Sequence, residues 1–265
     1  MTRTEPFGTT RAGTTVEAVT LRGGALQARV ITYGAILQAV HLEGLSHSLT
    51  PGPARMADCE GPIPYHGAIV GPVANRLSGA RAEIGGRAYR FEANEAGRTT
   101  LHSGSTGTHA QVWRIADAGA AHVLMALDLP DGMGGFPGNR RMTARFDLRP
   151  PATLRLTLEA TTDAPTLMNL ANHSYWNLEG TATWAGHTLR IAADRWLPTR
   201  PDGTPPGHIL PVGGTPMDFR RTRRLIPGAP PLDHCFCLGD TSAPRREVAW
   251  LTGAGGTSMA LATTA

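Results

Sequence analysis

No lysine occurs anywhere in the 265 residues, so all 25 basic side chains are arginine. A nucleotide-binding P-loop needs a lysine behind its glycine-rich turn, and that site is thereby excluded. Cysteine is scarce as well, and three of them, an odd number, do not build a disulfide framework. Cys235 and Cys237 flank Phe236 and would face one side of a strand. A zinc site would need two more ligands at suitable spacing, and there is no second cysteine pair. The patterns H-E-x-x-H and G-x-S-x-G are both missing, which removes the zincin helix and the hydrolase nucleophile elbow. No apolar run reaches the roughly 18 residues of a membrane span, and the stretch from Met1 to Gly8 lacks the apolar core of a signal peptide. A soluble, cytoplasmic protein without metal is expected. Sustained helical periodicity is missing too.

What is present is glycine, 32 residues, and proline, 21, together about one residue in five. That leaves room for many short strands joined by turns and little room for helices. Apolar residues make up 41%, enough for a sizeable core. The formal charge of +4 is modest. The densest basic run, Arg220, Arg221, Arg223 and Arg224, has no aromatic ladder beyond Phe219 and reads as a solvated face, not a nucleic-acid surface.

The patterning has period two almost throughout. Leu154, Leu156 and Leu158 alternate with Arg155, Thr157 and Glu159, as in a strand with one wet face. Around Gly85-Gly86, residues Arg81–Ile84 and Arg87–Phe91 read as a hairpin, because paired glycines accept the positive φ of a tight turn. Val123–Leu129 is apolar on both faces and should lie deeper. Further strands are expected at Val16–Arg22, Leu26–Tyr33, Val112–Ile115, Arg140–Leu148, Thr188–Ala192, Asp233–Leu238, Val248–Leu251 and Ser258–Ala262. Leu45–Pro64 and Pro198–Pro211 read as loops. With no repeat or linker, the expectation is a single all-β domain of sandwich or barrel type.

Four polar clusters interrupt this pattern: Val73-Ala-Asn-Arg76, Leu101-His-Ser-Gly104, Asn169-Leu-Ala-Asn-His-Ser-Tyr-Trp-Asn-Leu178, and Leu232-Asp-His-Cys-Phe236. The third packs amides, an imidazole and two aromatic faces into ten residues. Those groups suit a polyhydroxylated ring, which needs paired donors and acceptors and a flat surface for its C–H face. Asn169, Asn172, Ser174 and Asn177 divide equally between that role and satisfying backbone in tight turns. His173 favours chemistry, since an imidazole exchanges protons near neutral pH. His41, His47, His66, His109, His122, His187 and His208 default to surface or core roles.

At these residues the sequence resembles the aldose 1-epimerase family, the galactose mutarotases. The matches run in order along nearly the whole chain: Gly67-Ala-Ile-Val-Gly71 and Val73-Ala-Asn-Arg-Leu77, Leu101-His-Ser-Gly104 with Trp113, Gly134-Gly-Phe-Pro-Gly138, and Asn172-His-Ser-Tyr-Trp-Asn-Leu178. They continue through Leu197-Pro198, Pro211-Val-Gly-Gly-Thr-Pro216, Asp218-Phe-Arg220 and Asp233-His-Cys-Phe236. The resemblance implies a large antiparallel β-sandwich with a sugar-binding cleft and no metal or organic cofactor. The substrate would be glucose, galactose or a related aldose. His173 would be the general acid that protonates the ring oxygen. Arg76 and His102 would contact sugar oxygens, with Asn75 beside Arg76, and Asp233 would accept hydrogen bonds from hydroxyls.

Three departures accompany the resemblance. The family often has arginine where Pro72 stands and a second glycine where Ser103 stands. Its general-base glutamate, in a strand near the C-terminus, falls past Ala265. One aldose 1-epimerase-like domain, C-terminally incomplete and short of its last strands, is therefore expected over residues 1–265, with poor turnover. Glu247 lies in a different strand context and is not taken as that base. Two alternatives stay open: a non-catalytic sugar-binding protein on the same scaffold, and a hexose-6-phosphate 1-epimerase.

Overall fold

The computed structural model describes residues 4–265, which fall into two compact units, one running to Tyr175 and the other Trp176–Ala265. In the first unit two four-stranded antiparallel meanders dominate. One orders Thr4–Thr9, Thr15–Gly23, Leu26–Ile31 and Ile36–Leu42; the other orders Arg114–Gly119, His122–Leu129, Arg140–Arg149 and Thr153–Thr162. Backbone bonds join their ends, Arg22 N–H to the Ala120 carbonyl and Ala25 N–H to that of Pro151.

Alternation explains the faces. In Arg140–Arg149 the side chains of Met142, Ala144, Phe146 and Leu148 are buried, and the intervening ones are half-buried. His122–Leu129 lies deep, as its two apolar faces require. Leu154, Leu156 and Leu158 share the half-buried face of an edge strand. Arg81–Ile84 pairs with Arg87–Arg90 across Gly85 and Gly86, whose φ values of 58° and 78° make the two-residue hairpin turn. Phe91, expected to end that strand, instead stacks on Phe136 at 4.3 Å in a small core with Val73 and Ile84. The strand expected from Val112 starts at Arg114 and runs to Gly119 through a bulge, because Trp113 is diverted into the interior. Thr4–Thr9 and Ile36–Leu42 are strands that the pattern did not mark, and the four-residue helix Met56–Cys59 interrupts an expected loop.

The second unit holds a four-stranded sheet ordered Arg223–Arg224, Thr188–Ile191, Arg246–Thr252 and Ser258–Thr263. It also has a three-stranded sheet of Leu210–Pro211, Arg195–Leu197 and Cys235–Cys237. The strand expected over Asp233–Leu238 is thus cut to three residues. His187 is fully buried: its Nε2 accepts the Leu178 N–H at 3.0 Å and its Nδ1 lies 3.0 Å from the Trp184 carbonyl.

The Gly134–Gly138 motif serves the scaffold. Arg140, 1% exposed, donates from Nε to the Gly138 carbonyl and from Nη2 to those of Pro130 and Met133, so a buried guanidinium holds the loop closed. Trp113, also 1% exposed, donates from Nε1 to the Thr108 carbonyl at 3.0 Å. Trp113→Ala removes that bond and leaves a cavity, so it should destabilise the first unit by about 3–5 kcal/mol. Urea unfolding followed by circular dichroism checks this, and a loss under about 1 kcal/mol would contradict the packing described.

Candidate active site

Short elements of the first unit bring four of the five expected site residues near one another. His173 follows the two-residue strand Ala171–Asn172, which pairs antiparallel with Ile69–Val70. Its own N–H donates to the Ala68 carbonyl at 2.8 Å and its carbonyl accepts from Gly67 N–H at 3.0 Å, so the backbone under the ring is tied on both sides. The Asn172 side chain donates to the Gly67 carbonyl at 3.0 Å and accepts from Ser174 N–H at 3.2 Å. Asn177 likewise spends its amide on the carbonyls of Thr181 and Thr183. Both asparagines serve backbone here.

Arg76 and Leu101 face each other in a second two-residue pair, Arg76–Leu77 with Thr100–Leu101. Asn75 and His102 lie beside it and clasp each other. His102 N–H donates to the Asn75 carbonyl at 3.0 Å, and Asn75 N–H donates to His102 Nδ1 at 3.0 Å. Since a backbone N–H can only donate, Nδ1 must be bare and the ring's proton sits on Nε2. Asn75, His102 and Ser103 all adopt left-handed φ, 65°, 50° and 66°, a conformation costly for residues with a Cβ. Ser103 gains a bond that glycine could not make: its hydroxyl accepts from Val73 N–H at 2.9 Å and donates to the Val73 carbonyl at 3.1 Å.

The rings then converge. The His102 and His173 centroids are 5.0 Å apart with planes at 88°. Tyr65 lies 4.7 Å from His102, 4.8 Å from His109 and 5.9 Å from His173. Tyr175, 44% exposed, sits 5.3 Å from His173 and is stacked on His66 at 4.3 Å. His66 and His109, assigned above to surface or core roles, are members of this group. Tyr65, and Glu95, whose carboxylate accepts from Arg76 Nε at 2.7 Å, were not singled out at all. Their signal was weak, a tyrosine between proline and histidine and a glutamate in a glycine-containing turn. Among the described residues no group of three or more His, Cys, Asp or Glu side chains is placed to hold a metal ion.

Burial sets the charge of this group. It pushes His102 down to about 3, helped by His173, His109 and Arg76, and His109 down to about 4, helped by His173. His66 is lowered by burial and then by His173. Burial also raises the Tyr65 hydroxyl, on which Glu95 and Arg76 act in opposite senses. Three imidazoles are thus neutral near pH 7.

Asp233 lies in the second unit, exposed, two residues before Cys235–Cys237. Glu247, in Arg246–Thr252, accepts from Trp250 Nε1 at 3.0 Å. Among the described residues no helix is long and apolar enough to cross a membrane.

The aldose 1-epimerase family model matches residues 17–264, across both units. Mouse galactose mutarotase is 32% identical over 244 residues, covering 86% of this chain and 69% of that protein. Escherichia coli aldose 1-epimerase is 32% identical over 215 residues, covering 77% of this chain and 60% of that protein. The chain therefore spans between 60% and 69% of the length of these two relatives. Among solved structures, a galactose 1-epimerase from Lactobacillus acidophilus superimposes with a TM-score of 0.81 at 27% identity, covering 96% of this chain and 77% of that one. An aldose epimerase homologue from Caenorhabditis elegans, at 24% identity and a TM-score of 0.80, shares the fold.

A histidine held neutral when folded binds a proton more readily once unfolded, so its contribution to stability is complete above its ordinary pKa of 6.5. That contribution is lost as pH falls from 6.5 toward 3 for His102 and toward 4 for His109. The melting temperature should therefore drop between pH 6.5 and 4, and less steeply in His102→Asn. Melts across that range check it; equal slopes for wild type and variant would show that His102 is not held neutral.

Proposed function

The chain belongs to the aldose 1-epimerase family, and from that premise we propose that it interconverts the α and β anomers of a free aldohexose by opening and reclosing the pyranose ring. One observation carries this reading: the His173 ring stands beside His102, an imidazole locked as a neutral Nε2–H donor. Mutarotation moves one proton onto the ring oxygen and one off the anomeric hydroxyl. The C1–O5 bond breaks, the aldehyde turns about C1–C2, and reclosure gives the other anomer.

His173 is the acid for the ring oxygen. Neutral neighbours do not repel a proton on it, as charged imidazoles would at these distances. His102 offers its fixed N–H to a sugar oxygen, Arg76 with Asn75 beside it binds another, and the exposed Tyr175 face suits the sugar's C–H surface. Asp233, by resemblance alone, accepts hydrogen bonds from hydroxyls. By the same resemblance, the base that takes the anomeric proton is a glutamate. No cofactor enters the scheme. Cancellation of Arg76 by Glu95 favours an uncharged sugar over a hexose 6-phosphate.

Polarimetry of freshly dissolved α-galactose and α-glucose tests the proposal. In a chain that carries the family's C-terminal strands, His173→Ala should lower the enzymatic rate by about 10²–10⁴-fold, the usual worth of a positioned acid, while the circular dichroism spectrum is kept. Wild-type rates in the variant would remove His173 from the mechanism, and sugar binding without turnover in the parent of that extended chain would fit the non-catalytic alternative.

Arg76→Ala and Asp233→Asn should each weaken galactose binding by about 1–3 kcal/mol, since each strands a sugar hydroxyl without its partner. Calorimetric titration checks this; unchanged affinity in both variants would make the two residues structural.

A further inference from the structure

The guanidinium of Arg76 is gripped along one edge. Nε donates to Glu95 Oε2 at 2.7 Å and Nη2 donates to Oε1 at 2.8 Å, leaving Nη1 at 3.4 Å from Asn75 Oδ1. Two parallel bonds between a guanidinium and a carboxylate fix the plane as well as the distance. The side chains are 19% and 28% exposed, so the pair is screened far less than a surface ion pair.

Glu95 is itself held in place. Its N–H donates to the Thr99 carbonyl, and its carbonyl accepts from Arg98 and Thr99. The neighbouring Asn94 binds Leu101 twice, accepting its N–H at 2.8 Å and donating to its carbonyl at 3.1 Å. Leu101 is the cross-strand partner of Arg76. The turn that carries the carboxylate is therefore fastened to the short ladder that carries the guanidinium. The adjoining His102 and His109 are neutral and add no positive charge to this part of the unit.

We propose that Glu95 is a positioning and specificity-determining residue, which aims Arg76 and cancels its charge so that this part of the site takes uncharged sugars and turns away anionic ones. The proposal rests on the epimerase reading for its substrate. Without Glu95 the Nε–Nη2 edge of Arg76 would face a phosphate with its charge uncancelled; with Glu95 in place, an incoming phosphate meets a carboxylate at contact range. A neutral hydroxyl meets no such opposition.

The test reads binding of inorganic phosphate, at fixed ionic strength, to the parent chain, Glu95→Gln, Arg76→Ala and the double variant. Glu95→Gln should bind phosphate about tenfold more tightly than the parent, the scale of one unmasked charge in a half-buried site. The gain should vanish in Glu95→Gln/Arg76→Ala. Glu95→Ser, which deletes the same charge from the turn, should reproduce it. Glu95→Asp keeps the charge but shortens the reach, so phosphate affinity should stay at the parent level while KM for galactose rises and kcat changes little. Unchanged phosphate affinity in both neutral variants, or a gain that survives loss of Arg76, overturns the proposal. Phosphate binding is read without turnover, so its outcome decides this proposal whatever the chain does with galactose, and galactose turnover bears on the epimerase reading alone.

Discussion

The hydrogen bond from Asn75 N–H to His102 Nδ1 constrains more of the first unit than its own strength suggests. It fixes the orientation of a buried ring, and because the donor cannot accept, it fixes the tautomer as well. Protonation at Nδ1 would break the bond and bury a charge, a double cost that burial alone already makes unfavourable. The left-handed backbone at Asn75, His102 and Ser103 is the strain that sets up this contact, and the Ser103 hydroxyl offsets part of it by binding both polar groups of Val73. Arg76 follows Asn75 directly, so the same clasp also sets where the guanidinium starts.

From that contact follows a site poor in net charge. Three imidazoles are neutral near pH 7, and the Arg76 guanidinium meets a carboxylate edge to edge. Such a site acts on a neutral polyol through fixed dipoles and donors, which need no reorganisation when the proton moves. In the proposed mechanism the proton on His173 is the charge that moves, and the surroundings are arranged not to compete with it. Stability and chemistry are coupled here, because acidification that charges the neighbours would both loosen the unit and disturb the acid.

Much of the strand framework could be read from residue order. The Gly85-Gly86 hairpin, the alternating Leu154, Leu156 and Leu158, and the doubly apolar Val123–Leu129 all follow local rules, and each stands where those rules put it. Thr4–Thr9 escaped notice because an edge strand containing Phe7 between glycine and proline carries no alternation. His173, His102, Arg76 and Asn75 were recognisable because they sit in ordered motifs. Glu95, Tyr65 and His109 were not, since each acts through a neighbour far away in the chain: Glu95 through Arg76, and Tyr65 through rings at positions 102, 109 and 173. Two amides of the richest cluster, Asn172 and Asn177, resolved toward backbone satisfaction. No pattern in the sequence separates an amide that caps a turn from one that faces a ligand.

The central claim is that His102 is a donor held neutral near pH 7 whose proton lies on Nε2. Nitrogen-15 chemical shifts of the histidine side chains, assigned by comparison with His102→Asn, measure this directly. The account predicts an unprotonated Nδ1 and a protonated Nε2 for His102 at pH 7, with no titration between pH 7 and 5. A His102 ring protonated on Nδ1, or one that titrates near 6.5, would contradict it.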